Sequence, residues 1–385
     1  MGLSNRRCRV VVTGLVVLLT AGGAARRAAA QPCTPESAAA VRSEWKENPT
    51  NLVLANDVAP RNLQPAIIDR IETEIAPMFR QAYPEPQGTA AEGYAWIRSQ
   101  GGELEGSPAI PFGYTSLYKT WMCPQSTGQL SLAGETGNWA YVYVNILHTL
   151  VREVGEMTLD GQPTKVWMLA RRIGELRGET LYQAWEGFGD ARALLFTRAG
   201  EVPWKPVSQK QYLDALALHL QEEAGGATAR VDELERSLEA QLEEVRRTMT
   251  GEMRDQVVAG LEQGIADLKA QRGASDQKLA AGVATHIELI QDYEAKHSSQ
   301  EMQQPAILPE NLRMAFGGEF VQESDGGNML VTIDPRYFRN DLPRQTAQLV
   351  MLLWRWQHED PASNRWRTTF ERDFPLDRLQ AMVGR

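Results

Sequence analysis

Few side chains in this chain combine the type and the spacing that chemistry needs. The five histidines are His148, His219, His286, His297 and His358. None forms HxxxH or HExxH; the nearest approach to a chelating pair is His297 with Glu301, four residues on. That spacing puts both on one helix face, but a solvated surface pair has it too. Two acid pairs, Glu156 with Asp160 and Asp334 with Asp341, are the candidates for the two carboxylates of a hydrolase. In a chain with 49 acids, such pairs arise by chance.

Trp354, Trp356 and Trp366 have the chemistry of a sugar-stacking platform. Tyr114, Tyr118, Tyr141 and Tyr143 share the ambiguity, since alternating aromatics on a strand equally describe core packing. There is no GxSxG elbow, P-loop or GxGxxG, and Gly317-Gly318 reads as a strand-edge turn. No catalytic, cofactor-binding or metal residue is therefore assigned, and no cofactor is implied.

Residues 1–30 read as a secretory leader: Arg6, Arg7 and Arg9, an apolar run over 10–19, then Ala28-Ala29-Ala30 before Gln31. The run is short for a membrane span, which needs ~20 residues. Arg26 and Arg27 beyond it keep an uncleaved anchor as the alternative. The expected location is periplasmic or extracellular, with no stable membrane span after cleavage. Two cysteines then remain, Cys33 and Cys123, and an oxidising compartment predicts a disulfide between them. Loss of five leader arginines takes the formal charge from −9 to −14. So acidic a chain is a poor phosphate binder, and no nucleic-acid partner is expected.

The elements that would position these residues divide around 207–304. That stretch has no proline, tryptophan or cysteine, and only Tyr212 and Tyr293 as aromatics. Ser208 to Gln211 fits a capping box, with Val207 and Tyr212 at the staple positions. Gly225-Gly226 predicts a helix end. A second helix is expected from 228, its apolar stripe running from Val231 through Leu242, Met249 and Ile265 to Leu268. Gly273 predicts a further break before a third helix over 275–298. The middle helix would span about 67 Å and the flanking two together about 60 Å, at ~1.5 Å per residue. Three helices folded on one another are thus preferred to a single projecting rod.

The flanks are mixed. A helix is expected over 64–83 and a short one within 37–47. Strands are expected over 114–122, 139–150, 164–170 and 193–197, with a hairpin of 319–322 and 329–333. The apolar run 345–356 is read as a strand, and 366–374 and 376–383 as closing helices. The fold class is α+β: an antiparallel or mixed sheet domain with a long α-helical insertion, hairpin or coiled-coil-like. The expected divisions are a leader at 1–30, the first part of the domain at 31–206, the insertion at 207–304, and 305–385 completing the domain. The functional expectation is an exported, non-enzymatic protein that binds a partner, or itself, through residues 227–299. The alternatives are an envelope hydrolase using a carboxylate pair, or a glycan-binding module using Trp354, Trp356 and Trp366.

Overall fold

The computed structural model describes residues 33–47, 53–54, 63–98, 107–135, 137–185, 191–312 and 314–385, excluding the side chains at 47, 53–54, 224–231 and 271–277. The expected leader lies outside them. The strands in chain order are β1 (Lys46–Glu47), β2 (Val53–Leu54), β3 (Thr89–Ile97), β4 (Phe112–Met122), β5 (Ser131–Leu132), β6 (Trp139–Val144), β7 (Val151–Leu159) and β8 (Gln162–Leu169). They continue as β9 (Arg172–Leu176), β10 (Glu179–Gln183), β11 (Ala191–Phe196), β12 (Trp204–Pro206), β13 (Ile307–Leu308), β14 (Asn328–Ile333) and β15 (Val350–Arg355). The helices are α1 (Pro35–Ala39), α2 (Gln64–Arg70), α3 (Ala76–Ala82), α4 (Gln209–Thr248), α5 (Glu252–Lys296), α6 (Ser299–Met302), α7 (Pro361–Asp373) and α8 (Leu376–Gln380). The class is α+β.

The larger sheet runs β1-β3-β4-β6-β15-β11-β10-β9, with β2 on β3 and β5 on β4. It is mixed, because β1 and β2 pair parallel to β3. β15 lies at its centre, between β6 and β11. Alternate residues Val350, Leu352 and Trp354 enter one core, and Met351 and Leu353 enter the core on the other face. A strand covered on both faces loses its polar alternation, which is why 345–356 reads as an unbroken apolar run.

One face is covered by α2, α3, α7 and α8. Ile67, Ile71, Ile75, Met78 and Phe79 are buried there against Phe112, Trp366, Phe370 and Phe374. Between α2 and α3 the backbone widens into a π-turn over Ile71–Ile75, just before Pro77. A proline ring collides with the carbonyl four residues back in a regular α-helix, and the wider turn relieves that clash. The other face packs on a second, antiparallel sheet, β12-β14-β8-β7 with β13 on β14.

The short helix expected within 37–47 is confined to α1, held by a Thr34 capping box, and the chain then turns towards β1. No strand forms over 319–322. The partners of β14 are β12, β8 and β13 instead, so the expected local hairpin is replaced by long-range pairing.

The helix breaks are not where glycine predicts them. α4 runs through Gly225-Gly226 and α5 through Gly273. The chain reverses at 249–251, where Met249 is extended and Gly251 has φ 80°. Neither three helices nor one rod results, but two long helices. Lys210–Glu294 at 3.1 Å, Lys269–Glu239 at 3.1 Å and Arg246–Glu262 at 2.6 Å show that they run antiparallel. Entry and exit are adjacent: Ala306 N donates to Val207 O and Gln209 N to Gln304 O.

Candidate functional site

The candidate chemical residues are scattered, and most are held by a structural contact. His297 stacks on Tyr293 at 3.8 Å, with Nδ1 2.7 Å from the Tyr293 carbonyl. Glu301 turns instead to Ser298, accepting from its N and Oγ at 2.7 and 2.8 Å to close the capping box of α6. Those bonds hold its carboxyl below the usual range. His148 lies edge-on to Tyr143, His219 sits 3.9 Å from Glu223, His286 approaches the Gly282 carbonyl, and His358 rests against Trp356. Among the described residues no group of three His, Cys, Asp or Glu could hold a metal ion.

The carboxylate pairs do not form sites. Glu156 lies on β7 opposite Lys165, exposed. Asp160 takes φ 50° in the β7–β8 turn and accepts from Gln211 Nε2 at 2.7 Å, tying that turn to the foot of α4. Asp334 caps the 335–337 turn and pairs with Lys205 at 2.9 Å. Burial works against its carboxylate, but the bonds from Lys205 and Arg336 outweigh this and lower its pKa. Asp341 is occupied by Arg339.

The tryptophans require a correction. Trp354 and Trp366 are fully buried and Trp356 is 3% exposed, all in the core beneath α7. Trp354 Nε1 donates to Glu371 at 2.9 Å, while Arg192 and Arg367 each sit over the Trp356 ring within 4.9 Å. Rings sequestered in this way offer no platform for a sugar. Tyr114 and Tyr118 are buried on the same face. Trp139, Tyr141 and Tyr143 project from the other face and stack nearly parallel, at 5.9 and 5.3 Å.

Two adjoining clefts, of about 490 and 720 Å³, meet at Gln357, Asp360 and Pro361. Asp360 accepts from Ala362 N, Ser363 N, Ser363 Oγ and Thr120 Oγ1. Asn138 Nδ2 donates to the same serine at 2.7 Å. The carboxylate is thus committed to capping α7, and the buried serine is held between it and the Asn138 amide.

The surface that stands out is the helical pair. At its foot Tyr212, Leu213, Ala215 and Leu216 of α4, with Ile290 and Tyr293 of α5, join the core of the second sheet. Beyond Leu220 no described residue of α4 belongs to any sheet core. At ~1.5 Å per residue the remaining length of α4 extends about 40 Å. Along it Leu242 and Ile265, at matching heights in the ion-pair register, are buried. Leu234 and Met253, by contrast, are 50% and 68% exposed, and Val257 and Leu289 are also exposed. An apolar groove of about 430 Å³ lies between the helices at Leu220, Leu279 and Val283.

Cys33 and Cys123 are bonded, with Cα atoms 5.5 Å apart. Among the described residues no helix is long and apolar enough to cross a membrane. No protein-family model, curated protein or solved structure matches the chain.

Proposed function

We propose that this is an exported, non-enzymatic binding or assembly protein that works through a helical hairpin, inserted between β12 and β13, as an arm. The observation that carries this reading is the arm's length of amphipathic surface, distant from every sheet core and keeping large apolar side chains in water. Such exposed apolar surface marks interaction sites in folded proteins. The Cys33–Cys123 bond and the leader-like residues 1–30 support export.

Residues 227–299 are too generous a definition of the arm, because Ile290 and Tyr293 are core residues of the body. Among the described residues none between 224 and 282 belongs to a core of the body. A carboxylate-pair hydrolase has no comparable support, since Asp160, Asp334 and Asp341 serve a turn, a cap and ion pairs, and Glu156 lies exposed on β7. The test is capture of partners from the native envelope by the full chain and by a chain whose residues 224–282 are replaced with a short Gly/Ser linker. The proposal expects the shortened chain to lose them; equal recovery would overturn it.

A further inference from the structure

We infer that Cys33–Cys123 is a reducible latch and that α1 is a flap, released by reduction, on the cleft of about 490 Å³. The cleft is lined by Pro35 and Ala38 of α1, Trp121 and Met122 at the end of β4, and Pro361 and Ala362 at the start of α7. Cys123 belongs to the same lining, so the bond sits in the cleft wall. The inference is independent of the arm.

The latch supplies most of what holds this flap. Of residues 33–38 only Ala38 is buried, at 2% exposure. Apart from Cys123, no described residue outside 33–41 makes a hydrogen bond to residues 33–38. Firm attachment begins at the next residue. Arg365 Nη1 donates to the Ala39 carbonyl at 3.0 Å, and Gly88 N to the Val41 carbonyl at 2.7 Å. A Cβ on Gly88 would lie 3.1 Å from the Ala39 carbonyl oxygen and 2.9 Å from the Ala362 Cβ, so this end is closely packed. The flap is thus pinned at Ala39 and latched at Cys33. A helix of five residues has too few internal bonds to persist by itself, so the unlatched flap frays.

The bond is also within reach. Cys33 and Cys123 are both partly exposed, and exposed disulfides are the labile, regulatory ones. The reductant is a dithiol. One of its thiolates attacks a latch sulfur, breaking the S–S bond and forming a mixed disulfide; its second thiol then displaces the protein sulfur. Two electrons and two protons pass to the protein, leaving Cys33 and Cys123 as thiols and the reductant as a disulfide.

The test uses the full chain in a Cys8→Ser background. Dithiothreitol without denaturant should reduce the bond, as thiol alkylation and mass measurement report. The Ala38 and Ala40 amides donate within α1 to the Thr34 and Glu36 carbonyls, and their hydrogen exchange should then quicken by about tenfold or more. Amides of β15 should keep their rates. Nile red, a neutral apolar dye, should gain emission on reduction and lose it on reoxidation. Cys33→Ser should behave as the reduced chain does, with or without dithiothreitol. A bond that resists dithiothreitol in the folded chain would overturn the inference. So would unchanged α1 exchange or dye emission after verified reduction, or a simultaneous loss of protection in β15.

Discussion

Arg246 on α4 reaches Glu262 on α5 at 2.6 Å, and this contact near the tip marks the register of the two long helices. It requires the chain to reverse between them, and the reversal falls on Gly251 with φ 80° and ψ −173°. That conformation is essentially restricted to glycine. Gly251→Ala should therefore destabilise the arm by about 1–3 kcal/mol while sparing the body. Hydrogen exchange resolves the two: amides of α4 and α5 beyond Leu220 should lose protection, and those of β15 should not. Equal loss in both would show that the arm is not a separate unit.

Gly93 and Tyr114 make a second close relationship. A Cβ on Gly93 would lie 1.6 Å from the Tyr114 hydroxyl, which is buried with no hydrogen-bond partner among the described residues. Gly93→Ala should cost about 1–3 kcal/mol as an overpacked core. Tyr114→Phe should be neutral or stabilising, because it removes an unsatisfied buried hydroxyl, but it should recover only part of the loss in the double variant, since the ring Cζ would still lie 2.4 Å from the added Cβ. Denaturant unfolding of the three variants checks this. A strongly destabilised Tyr114→Phe would mean that the hydroxyl has a partner.

Burial pushes the phenols of Tyr114 and Tyr337 up from 10.0 to about 12, and raises Tyr118 and Tyr212 as well. The folded state then holds these protons more tightly than the unfolded chain. Their contribution is complete below pH 10 and is lost as pH rises towards 12. Phenolate absorbance during alkaline titration should show these tyrosines ionising together with unfolding. Ionisation of all tyrosines near their ordinary value, with the fold intact, would contradict the burial.

The Cys33–Cys123 bond closes a loop with a sequence separation of 90. On the chain-entropy view it stabilises by about 4–5 kcal/mol. Reduction should therefore lower the melting temperature of the folded protein, and Cys123→Ser should match that shift. Unchanged melting after verified reduction would assign the bond no stabilising role.

The elements legible in the sequence are those whose signal is local. Ser208 and Gln211 form the expected reciprocal cap, with N–O distances of 3.0 and 3.1 Å. The cysteines paired as the compartment rule implies. β3 escaped notice because Ala90, Ala91, Gly93 and Ala95 lack the bulk and branching that mark a strand, and Gly93 is small to admit Tyr114. The reversal at Gly251 was hidden because the apolar stripe stays in helical phase across it, whereas Gly225-Gly226 and Gly273 are carried inside helices. The second sheet depends on pairing between β8 and β14, far apart in sequence, which no local pattern announces. The tryptophans suggested a site by type alone, and only burial decides between platform and core.

The central claim is that the arm serves function and not the fold of the body. The most direct measurement is a thermal melt, followed by near-ultraviolet circular dichroism, of the chain with residues 224–282 replaced by a short linker. The account predicts a cooperative transition with the aromatic core signal and the disulfide retained, because both cysteines and all three sheet cores lie outside the replaced segment. Loss of that cooperative transition would show that the stripe on α4 and α5 is part of the body's own core, and the claim would fail.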